Sequence, residues 1–199
     1  MRLDRESYQF LTTVILTAAV LFYVILYGTL SVVRYNAFHA STFDLGIMAQ
    51  VVWNTARGRL FETSLGRATG DALIGSYLGN HVRPILLLLA PLYRLWPDPR
   101  LLLILQSVAL GAAAIPLYAI TRRHVGNPRA ALVVACCYLA YPALGFLNLV
   151  DFHPIAFAVP LLFLAYWSLL EGRMGLFWGA VLLWGLCAAA LRFAPFGKR

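Results

Sequence analysis

Charged residues are scarce in this chain: Asp, Glu, Lys and Arg make up 12% of its 199 residues, about half the share in a soluble globular domain. Hydrophobic residues make up 61%, and apolar runs near the roughly 20 residues needed to cross a bilayer recur along the sequence. This composition excludes a soluble domain. The runs are too long and too continuously apolar for barrel strands, so the sequence predicts an all-α polytopic membrane protein.

Common catalytic motifs are also missing. The sequence has no glycine-rich phosphate loop, no Ser-His-Asp set and no Cys/His spacing typical of a metal site. Its three cysteines, Cys136, Cys137 and Cys187, lie inside apolar runs and are interpreted as small buried residues, not as a disulfide framework. The net charge of +8 does not indicate a nucleic-acid partner. The basic residues stand beside apolar runs, where they set topology and meet membrane lipid.

Loop charges predict how the chain crosses the bilayer. The most basic short loop contains Arg122 and Arg123 and should be cytoplasmic, as should the N-terminus. The first span then carries the chain outward, so the long polar segment after it is external. An odd number of crossings must therefore separate that segment from the cytoplasmic loop. The span 101–120 supplies that crossing, so the short apolar run 85–96 is expected to lie along the outer interface.

We predict one membrane domain with about five transmembrane helices and two interfacial helices. The predicted spans are 8–30, 101–120, 130–150, 155–170 and 174–190. The first external loop, 32–100, is predicted to hold the interfacial helices 44–56 and 85–96. Ser41 or Thr42 can cap the first of these helices, which is expected to stop near Gly58.

This topology places three polar clusters on the outer face: Asp44, His81 with Arg83, and Asp151 with His153. Ionisable groups at membrane depth cost about 2.5–3.5 kcal/mol, so they tend to be paired and functional. A carboxylate can be a general base, an arginine can hold a phosphate, and Asp44, Asp151 and His153 could hold a divalent metal. The simpler alternative is that the acids cap helices, the histidines anchor at the interface and Arg83 reaches lipid headgroups.

Several short elements together resemble a known family. They are Phe43-Asp44-Leu45-Gly46-Ile47 with Gln50 and Trp53-Asn54, Gly79-Asn80-His81 with Pro84-Ile85-Leu86, Tyr141-Pro142, and Asp151-Phe152-His153-Pro154. In this order they resemble the prokaryotic membrane-protein family called domain of unknown function 2079, from about residue 33 to 186. That family is similar to the C-type integral-membrane glycosyltransferases.

The resemblance implies a function and a location. Such enzymes use sugars carried on a polyprenyl phosphate and place a catalytic acid in the first external loop, so Asp44 would be the acid. His81, Asp151 and His153 would line the same external cavity. His81 and Arg83 would neutralise the leaving phosphate, directly or through a metal. The chain is accordingly expected in a prokaryotic plasma membrane with a cytoplasmic N-terminus.

One departure from the family supports a second hypothesis. Family members are longer and usually carry a Lys-Glu-Asp element shortly after the span that begins near Met174, whereas this chain has Leu186-Cys187-Ala188-Ala189-Ala190-Leu191-Arg192 there. The chain is therefore expected to correspond to an N-terminal portion, with uncertain activity of its own. The alternative is a non-catalytic membrane protein: a truncated fragment, an assembly partner or a transporter-like element. The acids at predicted span ends argue against transport, which places polar groups at the bilayer midplane.

Overall fold

A computed structural model describes residues 5–40, 42–64, 75–77 and 83–188. The helices in this part of the chain are α1 Arg5–Asn36, α2 Ile47–Thr55, α3 Ile85–Leu95, α4 Pro99–Ala112, α5 Ala114–Val125, α6 Pro128–Leu139, α7 Pro142–Leu149, α8 Ala158–Leu170 and α9 Met174–Ala188. A π-helical turn, Thr42–Gly46, precedes α2, and a 3₁₀ turn, Pro154–Phe157, precedes α8. The predicted all-α class is confirmed for these residues.

The predicted count of five spans is not confirmed. Two described helices are long and apolar enough to cross a membrane: Tyr8–Asn36, and Pro99–Val125, in which α4 continues into α5. A third span exists if α6 and α7 are counted together, although they are bent by 42° at their junction. The bend falls at Tyr141-Pro142, because proline has no amide hydrogen to donate and disfavours helical backbone at the residue before it.

The remaining apolar helices are short. The segment Pro154–Leu170 has at most 17 residues, about 26 Å at 1.5 Å per residue, which is less than a roughly 30 Å hydrocarbon core. Helix α3 has 11 residues, or about 16 Å, and is too short to span. Its buried side includes Leu86 and Tyr93, while Leu88 and Leu95 are exposed on the other. Apolar residues on an exposed side suit a helix at the membrane surface.

Helix α1 packs antiparallel to the continuous helix α4–α5. Near the start of α1, Thr12 accepts a hydrogen bond from the Tyr118 hydroxyl at 3.3 Å, whereas further along Val24 lies against Gly111. The outer side of α1 carries exposed apolar residues, such as Phe10 at 73% and Phe22 at 68% exposure. A side chain of this kind is stable when it faces lipid.

Basic residues gather at the end of the bundle where α1 begins. At the end where α5 meets α6, the Arg123 guanidinium pairs with the Glu171 carboxylate at 3.1 Å, and the Arg129 side chain stacks over the Tyr8 ring. We call this end, formed by residues 121–129 and 171–173 with the start of α1, the basic end. The long segment between α1 and α4 lies at the opposite end, which we call the long-loop end.

One apolar cluster fills the long-loop end. It joins residues of α2 and α3, such as Val51, Val52 and Leu86, to Leu102 near the start of α4 and to Phe152. Each of these five side chains is at most 1% exposed. The helices predicted to be interfacial are therefore packed onto the bundle, and the same cluster holds the turn that contains Asp151.

Candidate functional site

Asp44 lies at the surface of the long-loop end. It is exposed within the π-helical turn Thr42–Gly46, while its neighbour Leu45 is 2% exposed and belongs to the apolar cluster. The buried leucine fixes the turn, so the carboxylate points outward from an anchored segment. The predicted cap residues, Ser41 and the Thr42 side chain, lie outside what the structure describes, and α2 itself begins only after Gly46.

Polar residues of α2 hold the chain that follows it. The Asn54 amide donates to the Glu62 carbonyl at 2.9 Å, and the Thr55 hydroxyl accepts from the Phe61 amide at 3.0 Å. The Gln50 carbonyl oxygen accepts from the Thr63 hydroxyl at 3.0 Å. Gln50 and Asn54, which contributed to the family resemblance, therefore have a structural role here: they fold the loop back over α2.

Tyr77 brings Asp44 and Arg83 into one neighbourhood. Its amide donates to the Phe61 carbonyl at 2.8 Å, and its ring is 3% exposed. Burial raises the pKa of the Tyr77 hydroxyl above its ordinary value of 10.0, the Arg83 charge lowers that pKa, and the Asp44 charge raises it. Both charges thus act on the same hydroxyl, one from the Asp44 turn and one from Arg83, two residues before the start of α3.

Arg83 has an unsatisfied donor. Its Nε atom is buried and has no hydrogen-bond partner within the described residues, although the side chain as a whole is only half-buried. A buried donor without an acceptor costs about 1–3 kcal/mol. The guanidinium of this half-buried side chain suits the geometry of an oxyanion such as phosphate.

The turn containing Asp151 and His153 is held by Gln106 of α4. Asp151 has a φ of 67°, a left-handed conformation that is uncommon outside glycine and more frequent for Asp than for most residues. The Gln106 amide donates to the Asp151 carbonyl at 2.8 Å, and its side-chain oxygen accepts from the His153 amide at 2.6 Å. Asp151 is 8% exposed, so it lies beneath the surface.

A buried polar network continues from this turn. The Asn148 amide donates to the hydroxyls of Ser107 at 2.9 Å and Ser31 at 3.3 Å, and Ser31 donates back to the Asn148 carbonyl at 3.2 Å. These side chains are at most 3% exposed. Sequence analysis missed this network and Gln106. The available signal was the presence of polar residues inside predicted apolar spans, which commonly join membrane helices.

The predicted site residues are only partly brought together. Asp44 and Arg83 act on Tyr77 at the long-loop end, and the neighbours of the two acids, Leu45 and Phe152, belong to one apolar cluster. Asp44 is exposed while Asp151 is buried. His153 is half-buried beside Asp151. His81 lies outside the described residues.

The structure gives the metal hypothesis no geometric support. In the described ranges, no three His, Cys, Asp or Glu side chains form a group that could hold a metal ion. Asp44, Asp151 and His153 all fall within these ranges, so this candidate set does not assemble. The arrangement offers instead an exposed carboxylate and an arginine with a free donor, which together suit a hydroxyl and an anion.

Comparison with known proteins identifies a family. A family model described as "Predicted membrane protein (DUF2079)" matches residues 34–195. This range includes Asp44, Arg83, Asp151 and His153. No curated protein and no solved structure matches the chain.

Proposed function

Since the chain belongs to the DUF2079 family of predicted membrane proteins, we propose that it is a glycosyltransferase-like integral membrane protein. It would transfer a sugar from a polyprenyl-phosphate donor at the outer face of a prokaryotic plasma membrane, with its N-terminus in the cytoplasm. The observation that carries the proposal is that the Asp44 and Arg83 charges both lie near the buried Tyr77 hydroxyl and act on it. The resemblance to C-type glycosyltransferases supplies the reaction class.

The proposed reaction needs a base and an anion-binding group. The Asp44 carboxylate takes the proton from an acceptor hydroxyl, whose oxygen forms a bond to the anomeric carbon of the sugar. The bond between that carbon and the phosphate oxygen breaks, and the polyprenyl phosphate leaves with the electron pair. The Arg83 guanidinium neutralises the leaving phosphate. His81, from the family resemblance, would assist Arg83.

Asp151 and His153 are assigned a positioning role toward the donor. Their turn is fixed by Gln106 and is continuous with the apolar cluster. A turn held rigidly in this way can orient a bound substrate without taking part in the chemical step. The proposed steps are assigned to side chains alone, since Asp44, Asp151 and His153 form no metal-binding group among the described residues.

Two variants separate binding from chemistry. Binding of polyprenyl phosphate to the purified chain would be measured by native mass spectrometry, and transfer by loss of sugar from polyprenyl-phosphate glucose and mannose in proteoliposomes. We expect Arg83→Gln to weaken phosphate binding about tenfold or more. Asp44→Asn should retain binding and lose transfer by about 100-fold or more, as expected for a missing general base.

Glu62→Gln is the matched control. Glu62 is another carboxylate of the long-loop end, 41% exposed and 3.5 Å from Arg59, and its charge has no place in the proposed reaction. The control should bind and transfer like the unaltered chain. Full transfer by Asp44→Asn would remove Asp44 from the mechanism, and failure of the chain to bind polyprenyl phosphate would contradict the proposal as a whole.

A second candidate function is transport. The bundle contains a 42° break between α6 and α7 and buried amides at Gln106 and Asn148, and transporters combine broken helices with polar groups. Polar groups therefore occur inside the bundle as well as at the span ends, where sequence analysis had located them. Transport predicts Na⁺ or H⁺ flux in dye-loaded proteoliposomes that Asn148→Leu abolishes, whereas the glycosyltransferase proposal predicts no such flux.

A further inference from the structure

A cavity of about 450 Å³ opens at the basic end, on the side of the bundle away from Asp44. It lies between the start of α1, the end of α5 and the start of α6. Its lining residues are Tyr8, Gln9, Arg122, Gly126, Asn127, Pro128 and Arg129. The proposed sugar transfer uses none of these residues.

The lining is positively charged. Arg122 and Arg129 both line the cavity, and its described lining contains no acidic residue. The Arg122 guanidinium is exposed and makes no hydrogen bond or ion pair to the described residues. Arg123, the next residue, pairs with Glu171 at 3.1 Å and does not line the cavity. The two positive charges of the cavity are therefore left without neutralising partners in the part of the chain that is described.

Tyr8 holds one of the two arginines in place. Arg129 Nε donates a hydrogen bond to the Tyr8 hydroxyl, and the guanidinium carbon lies 5.0 Å from the ring centroid. The cation–π contact and the hydrogen bond fix the plane of the guanidinium. The terminal Nη atoms make no hydrogen bond to described residues, so the donors best suited to a bidentate oxyanion stay available.

A tight turn places the second arginine on the same cavity. Helix α5 ends at Val125 and is capped by Gly126, which has a φ of 68° and can adopt this conformation because it lacks a Cβ atom. Asn127 is the N-cap of α6, and its side chain accepts a hydrogen bond from the Arg129 amide at 2.9 Å. Arg122, in the last turn of α5, and Arg129, in the first turn of α6, thereby face one space.

The position of the cavity favours a lipid. Tyr8 starts one candidate span and Val125 ends another, so the cavity lies at the level where an apolar span meets the headgroup region. Exposed apolar side chains continue from it along the bundle, including Phe10 at 73% and Val133 at 60% exposure. A phosphate held by the arginines could thus be covalently joined to acyl chains lying against these residues.

We propose that this cavity binds the phosphate headgroup of an anionic phospholipid from the leaflet at the basic end. Arg122 and Arg129 contact the phosphate, Tyr8 orients Arg129, and the acyl chains follow the outer side of α1 and α6. The proposal is independent of the sugar-transfer function, because it concerns the opposite end of the bundle.

Native mass spectrometry of the purified chain in uncharged detergent tests the proposal. The probes are phosphatidylglycerol and phosphatidylcholine with identical acyl chains. The test variant is Arg122→Gln with Arg129→Gln, and the control is Arg123→Gln with Arg173→Gln, which removes equal charge from the same end. We expect the unaltered chain to prefer phosphatidylglycerol and the test variant to bind it about 25-fold more weakly, about fivefold per arginine. The control should stay within about twofold of the unaltered chain.

Three outcomes would overturn the proposal. The first is equal binding of the two lipids by the unaltered chain. The second is an equal loss in the control variant, which would indicate general surface charge. The third is binding of inorganic phosphate as tight as the binding of phosphatidylglycerol, which would identify a site for free phosphate. If the double variant does not fold, Arg122→Gln alone decides, because the Arg122 side chain has no described partner whose loss could unfold the chain.

Discussion

Gln106 and His153 are joined by a hydrogen bond of 2.6 Å from the His153 amide to the Gln106 side-chain oxygen. The same glutamine donates from its other end to the Asp151 carbonyl. One buried side chain of α4 thus satisfies both sides of a turn that lies 45 or more residues further along the chain. This relationship fixes the position of two candidate site residues.

Replacing this glutamine should therefore destabilise the fold. Gln106→Met keeps the side-chain length but removes the hydrogen bonds that Gln106 makes with the Asp151 carbonyl and the His153 amide. Because an unsatisfied buried group costs about 1–3 kcal/mol, we expect a loss of about 2–4 kcal/mol in the free energy of unfolding, measured by denaturant titration in detergent. The neighbouring control Leu105→Met removes no hydrogen bond and should cost less than about 1.5 kcal/mol. Equal losses in both variants would contradict the role given to Gln106.

The contact between α1 and α4 depends on the absence of a side chain at position 111. A Cβ atom built on Gly111 would lie 2.8 Å from Val24 Cγ2 and 3.2 Å from Tyr23 Cδ1. We expect Gly111→Ala to destabilise the protein by about 1–3 kcal/mol, as overpacking does. Val24→Ala in the same chain should recover much of the loss. A denaturation series of the single and double variants measures both effects.

Gly179 provides the control for that substitution. It lies inside α9, and a Cβ atom added to it would have no described neighbour within 4 Å. Gly179→Ala should be neutral or stabilise the helix by up to about 1 kcal/mol. Destabilisation of both glycine variants to the same extent would show that the loss does not come from the α1–α4 contact.

The charges around Tyr77 predict a change in its titration. Asp44→Asn should lower the pKa of the Tyr77 hydroxyl, because it removes a negative charge, and Arg83→Gln should raise that pKa, because it removes a positive one. The ultraviolet absorbance of tyrosinate, taken as the difference from a Tyr77→Phe variant, measures both shifts. Glu62→Gln should leave the titration unchanged.

The raised pKa also predicts how stability changes with pH. Above the ordinary value of 10.0, Tyr77 loses its proton in the unfolded chain but keeps it in the folded chain, so the unfolded state binds fewer protons and stability falls. Tyr77→Phe should reduce this alkaline loss of stability. A loss of the same size in the Phe variant would exclude Tyr77 as its source.

The two ends of the bundle should be exposed on opposite sides of the membrane. In a variant with Cys136, Cys137 and Cys187 replaced by serine, a cysteine at Arg123 should resist an impermeant maleimide applied to intact cells. A cysteine at Ser64, which is exposed at the long-loop end, should react. Labelling at position 123 from outside would overturn both the orientation and the outer-face location proposed for Asp44.

The sequence was informative where a local signal decides the structure. Long apolar runs predicted the helical class, and the short run 85–96 corresponds to a helix too short to cross a bilayer. The orientation of this helix at a membrane surface remains a prediction. The π-helical turn around Asp44 was not predicted, because the capping pattern at Ser41 and Thr42 favours an ordinary helix start.

Long-range contacts explain what could not be predicted. Tyr141-Pro142 is visible in the sequence, but proline is tolerated in many membrane helices when neighbours satisfy the freed backbone groups, so its presence alone does not place a bend. Gln106 and Asp151 are 45 residues apart, and no periodic pattern links a polar residue of one helix with a turn elsewhere. The role of Gln106 therefore emerges only from the packed structure.

The anchoring of the Asp151 turn has a mechanical consequence. Gln106 follows Pro99 by seven residues, so the turn is attached about 10 Å along a continuous helix of the bundle. Asp44 belongs instead to a segment that rests on the bundle through α2 and its apolar contacts. We therefore expect a rearrangement that changes the distance between the two acids to move the Asp44 segment, while the Asp151 turn stays attached to the bundle.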